Sequence, residues 1–143
     1  MHRAEKALIL LLRISAVVLL VAIVPACMPH HWMNVIHRRL ELGELRETPL
    51  IGYLTRSLSA LYAYHGLLVL YMSFDVRRYR PLIRCMGAVS VVFGAGLIAI
   101  DCAVGLPLGW ILCEGPLIAA LGGVLFWLAG RIDRKEGDGL PAV

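Results

Sequence analysis

The chain has 143 residues, 59% of them hydrophobic, with a mean hydropathy of +0.77 and a formal net charge of +4. A soluble domain carries about 25% charged residues, whereas this chain carries 17%, gathered between long apolar runs. That pattern leaves no room for a separate soluble core, and it assigns the basic balance to orientation in a membrane rather than to nucleic acid.

A membrane-crossing helix needs about 20 mostly apolar residues, and four segments predict one each. The first is 7–24, ended by Pro25 and interrupted by Arg13, which snorkels to the interface. Arg3 and Lys6 precede it, and "VPAC" ending at Cys27 loosely resembles a lipoprotein cleavage box. Arg13 and Pro25 argue against that processing.

The loop 25–49 follows. Within it "HWMNVIHRRLELGELRET" spaces Trp32, Val35, Ile36 and Leu40 as a helix does. It predicts a short amphipathic helix on the outer membrane surface, ended by Gly43. His30, Met33 and His37 would share one face and suit a soft metal such as copper. Trp32 and the histidines equally suit an interfacial anchor.

The second span, 50–74, carries Arg56 one to two turns from its start and His65 near its middle. An intramembrane His can relay protons or bind a metal or a quinone-like head group. The plainer reading is a neutral His bonded to a neighbouring helix, with Gly66 allowing close approach. Next comes the basic loop "DVRRYRPLIR", and then spans 85–104 and 110–130 around the turn "GLPLG".

Asp101 and Glu114 lie about one helical turn down the two arms of that hairpin, at a depth similar to that of Arg56. A guanidinium fork can satisfy two carboxylates, so an Arg56–Asp101–Glu114 cluster locking three helices is one expectation. Snorkelling of all three to the outer head groups is the other. Gly115, Ala119 and Gly123 on one helix, and Ala95, Ala99 and Ala103 on the other, form small-residue stripes for close packing within the chain or in a dimer. Pro116 predicts a bend beside Glu114.

The four cysteines, Cys27, Cys85, Cys102 and Cys113, make no C-x-x-C pair, which excludes a zinc ribbon or a thioredoxin-like motif. Cys102 and Cys113 are candidates for a disulfide across the hairpin. The tail 134–143 is polar and Gly-rich and predicts disorder. Lys and Arg are denser in the N-terminus, the second loop and the tail than in the first and third loops, which puts both termini in the cytoplasm.

The expected architecture is an all-α, four-helix transmembrane bundle forming one domain over 1–133, in a bacterial inner (cytoplasmic) membrane. The Arg-led helix "TRSLSALYAYHG", the basic loop "RRYRPLIR" and the acid in "CEGP" resemble the DoxX-like group of small four-helix bacterial membrane proteins over about residues 50–130. The resemblance implies the four-span fold and, for some members, a link to redox or sulfur metabolism. It supplies no catalytic residues.

The leading functional expectation is a non-enzymatic structural or accessory membrane protein, in contact with lipid and with itself or a membrane-protein partner, and not with nucleic acid. A second is a quinone- or lipid-binding module using Arg56, His65, Asp101 and Glu114 as a polar pocket. A third is a proton or solute pathway formed by an oligomer. No cofactor is indicated by any motif.

Overall fold

The computed structural model describes residues 3–137, with side chains through 132. Its helices are α1 (Arg3–Val21), α2 (Ile23–Cys27), α3 (His30–Arg39), α4 (Pro49–Met72), α5 (Arg80–Val104), α6 (Leu108–Cys113) and α7 (Gly115–Gly137), with no strand among the described residues. Three stretches are long and apolar enough to cross a membrane: Arg3–Cys27, Arg80–Val104 and Leu108–Ile132. Where the fourth span was expected the chain forms a helix, α4, of 24 residues. It falls outside that apolar set because Thr55, Arg56, Ser57, Ser59, Tyr62, Tyr64 and His65 dilute its leucines.

Prolines set the breaks. Pro25 has no N–H to give the carbonyl of Val21, and its ring crowds that carbonyl. The helix accordingly breaks at Ala22, between α1 and α2. Pro116 acts likewise on the turn before it, so the expected bend is a break at Glu114 between α6 and α7. Pro49 opens α4, where a missing N–H costs nothing, and the Ile51 N–H donates to Oγ1 of Thr48 at 3.3 Å. Gly105, in the left-handed region at φ 76°, closes α5.

Several boundaries differ from the sequence expectation, three of them for local reasons. The third apolar run begins as helix at Arg80, because Pro81 sits in the first turn and Leu82 and Arg84, which follow, are good helix formers. Residue 40 caps α3, and the left-handed turn falls on Glu41 (φ 61°) ahead of Gly43 (φ 84°). Finally, α7 runs to Gly137, so the start of the expected disordered tail is helical. Residues 138–143 lie outside the described residues.

The chain divides into two compact units, Arg13–Tyr71 and the pair Met1–Leu12 with Met72–Val143. In the second of these, α5 packs along α7. Gly87, Gly94 and Asp101 recur every seventh residue on α5, as Gly115, Gly122 and Ala129 do on α7, and all six are buried. A seven-residue step stays on one face, whereas a four-residue step drifts around the helix. The alanine stripe predicted on α5 therefore does not form the seam: Ala95, Ala99 and Ala103 are exposed.

The contact is backbone on backbone. A Cβ at Gly94 would lie 2.6 Å from the Gly115 carbonyl oxygen, and one at Gly87 2.7 Å from that of Gly122. Leu8, Leu12, Val76, Ile83, Leu125, Leu128 and Ala129 are all buried in the same unit. In the Arg13–Tyr71 unit, α4 meets α1 through Gly66, where a Cβ would lie 3.1 Å from the Ala16 carbonyl oxygen.

Candidate functional site

The Arg13–Tyr71 unit holds a polar cleft of about 450 Å³ at the head of α4, lined by His30, Glu47, Gly52, Tyr53, Arg56 and Ser57 among others. Its floor follows from helix geometry. Gly52 and Arg56 are four apart, so they share a face of α4. Gly52 has no side chain, and the Arg56 guanidinium folds over it, with one terminal nitrogen 3.3 Å from where a Cβ would stand.

The other wall is made by α3 and the loop after it. The Leu45 N–H donates to Oδ1 of Asn34 at 2.8 Å. His30 Nε2 donates to the Leu45 carbonyl at 3.1 Å, and His37 Nδ1 to the Gly43 carbonyl at 3.2 Å. These three bonds fold the loop back along α3 and bring Glu47 to the cleft that Arg56 also lines. Among the described residues Arg56 and Glu47 form no ion pair, with each other or with any other group. The cleft thus holds a cation and an anion that leave one another unneutralised.

The histidines proposed as metal ligands therefore each commit one nitrogen to a backbone carbonyl, and Met33 is buried. Among the described residues no three His, Cys, Asp or Glu side chains gather as a metal would require. The structure brings together His30 and Arg56, which the sequence assigned to two different clusters. His65, an exposed residue of α4, does not line this cleft, although its neighbour Gly66 makes the expected close approach to α1.

Asp101 and Glu114 belong to the other unit. Glu114 accepts a hydrogen bond at Oε2 from the Trp110 indole N–H, one turn back on α6. Asp101 is buried, and its Oδ2 has no hydrogen-bond partner. Cys102 and Cys113 are both free and exposed, as are Cys27 and Cys85.

Two features escaped sequence reading. Glu47 looked like one more charge in a charged loop, and only the folding of that loop onto α3 gives it a place. Glu5, buried near the start of α1, takes a two-pronged bond from Arg77. Nε donates to Oε1 at 2.9 Å and the terminal nitrogen to Oε2 at 3.1 Å. A lone acid between Arg3 and Lys6 was the only available sign of it. No family model matches the chain, and no curated protein or solved structure matches it either.

Proposed function

We propose that this chain is a four-span accessory protein of a bacterial inner membrane, with both termini in the cytoplasm, that binds a small zwitterionic molecule in the cleft at the head of α4. The observation that carries the binding reading is the shared cleft of Arg56 and Glu47, two opposite charges without ion-pair partners. Arg56 offers a fork of donors to a carboxylate or phosphate. Glu47 suits an ammonium group. The volume lies within the range of small-molecule sites, about 300–1,000 Å³. The role is capture or presentation of the ligand rather than its chemical conversion.

The four-span path has its own support. Arg3–Cys27 is long and apolar enough to cross the membrane, yet Glu5 at its start is bonded to Arg77, far along the chain. If α1 crosses, the chain returns to the same side before residue 77. Among the described helices between them only α4, with 24 residues, is long enough to make the return. The contact of Gly66 with Ala16 in mid-helix fits two antiparallel neighbours. The same four-span pattern underlies the DoxX-like resemblance. Positive charge in the loop 75–84 and the tail then puts the α4 cleft on the outer side.

The ligand class is tested by titrating the full-length protein in nanodiscs with phosphoethanolamine and with glycine, against inorganic phosphate and ethanolamine alone. The proposal expects at least one zwitterion to bind about tenfold or more tightly than either half, as two satisfied charges require. It expects Arg56→Gln to abolish that preference while the protein stays folded. Equal binding of zwitterions and halves, or full binding by Arg56→Gln, contradicts the reading.

A further inference from the structure

The residues of α3 divide by face. His30, Asn34 and His37, three or four apart, make hydrogen bonds to the loop after the helix, and Met33 beside them is buried. Trp32, Val35, Ile36 and the capping Leu40, at the same spacing on the other side, are between 46% and 57% exposed. A helix that packs on a soluble core does the reverse, with its apolar stripe inward and its polar residues in water. We infer that the outward face of α3 docks on the head-group surface of an anionic lipid bilayer.

Place and length fit a bilayer. The apolar stretch Arg3–Cys27 is long enough to cross a membrane, and only Met28 and Pro29 stand between its end and His30. Three Cα–Cα steps reach at most about 11 Å, so α3 starts near the level where that stretch leaves the membrane. With 10 residues α3 is about half the length needed to cross. It lies along the surface rather than through it.

Charge selects the lipid. No acid occurs in α3, and Arg38 and Arg39 stand in its last turn. Both are exposed, and among the described residues neither enters an ion pair. Arg38 is three residues past Val35 and Arg39 three past Ile36, so both stand beside the apolar face. Their aliphatic stems can lie along it while the guanidinium groups reach lipid phosphates. Trp32, with the His31 ring edge-on to it at 5.9 Å between centroids, is of the residue type that settles at head-group depth. None of these outward residues lines the α4 cleft, so failure of the ligand reading leaves the docking face standing, and the reverse.

The test places Ile36→Cys, or Glu44→Cys as the reference, in the full-length chain with its four native cysteines as serine. Each protein is held one copy to a nanodisc, of phosphatidylcholine alone or of equal parts phosphatidylcholine and phosphatidylglycerol, and is alkylated with a membrane-impermeant maleimide. Position 36 reacts only while the helix is lifted, so its rate reports the undocked fraction. In discs with phosphatidylglycerol Ile36→Cys should react at least about tenfold more slowly than Glu44→Cys. In phosphatidylcholine alone it should speed up, relative to Glu44→Cys, by about fivefold or more, the weight of one surface arginine.

Arg38→Gln with Arg39→Gln should remove the difference between the two lipids. Equal rates at positions 36 and 44 in phosphatidylglycerol overturn the inference, because the face is then open to water. Equal protection in both lipids overturns it as well, and so does a lipid difference that survives in the Arg38/Arg39 variant. Protection seen only when discs hold two copies assigns the face to a second chain and overturns the lipid docking. Should the arginine variant not fold, the comparison of lipids with both arginines present decides the matter by itself.

Discussion

The Glu5–Arg77 pair is lopsided, and its energetics should be too. The Arg77 side chain is 61% exposed while that of Glu5 is 9% exposed. Removing Arg77 takes two charge-assisted hydrogen bonds from a buried carboxylate, whereas removing Glu5 leaves a guanidinium that water can solvate. Arg77→Ala should therefore cost about 2–3 kcal/mol of stability and Glu5→Ala about 1 kcal/mol. Unfolding of the two variants in detergent measures this, and equal losses would contradict it.

Asp101 carries the opposite sign. Its Oδ2 is buried without a partner, and it sits in the last turn of α5, where the helix dipole disfavours negative charge. Asp101→Ala should raise stability by about 1–3 kcal/mol. A fall would mean that the carboxylate is held by something. The sequence marked Asp101 and Glu114 as a matched pair about a turn. The structure gives them different surroundings: the indole of Trp110 is within reach of Glu114, and no donor is within reach of Asp101 Oδ2.

At the scale of elements, the glycines of α5 and α7 give a graded test. Gly87→Ala and Gly94→Ala each push a methyl group into facing backbone and should cost about 1–3 kcal/mol. Gly96 and Gly123 have nothing within 4 Å of a Cβ, so alanine there should be neutral or stabilise by about 0.5–1 kcal/mol through helix propensity. Thermal unfolding of the four variants checks the order, and a loss at Gly96 equal to that at Gly94 would contradict the seam.

Helices and their breaks were legible in the sequence because they depend on local chemistry: apolar length, Pro25, Pro49, Pro116 and Gly105. The seam was only half legible. Small residues were visible on both helices, but choosing among stripes needs the helix period, and a four-residue step led to exposed alanines on α5. The α4 cleft was less legible still. It joins residue 30 to residue 56 through a loop whose path is set by the side chains of Asn34, His30 and His37, and no periodic pattern encodes that path. The bond from Glu5 to Arg77 reaches across α1 to α4 and the loops between them in sequence, and charge alone does not choose its partner.

On the scale of the whole molecule, everything turns on the path of the chain. Three stretches have the length and apolarity to cross a membrane, and α4 is the polar exception whose crossing we propose from the Glu5–Arg77 bond. That exception is also the helix that carries Arg56, so the proposed ligand site stands at the head of the least apolar of the long helices. The most direct test is the labelling of single cysteines, Glu44→Cys and Arg78→Cys, placed in a chain whose four native cysteines are serine. Sealed right-side-out and inverted vesicles are treated with a membrane-impermeant maleimide. Four crossings with cytoplasmic termini predict that position 44 reacts only from outside and position 78 only from the cytoplasmic side. Reaction of both positions from one side would show that α4 does not cross and would contradict the arrangement.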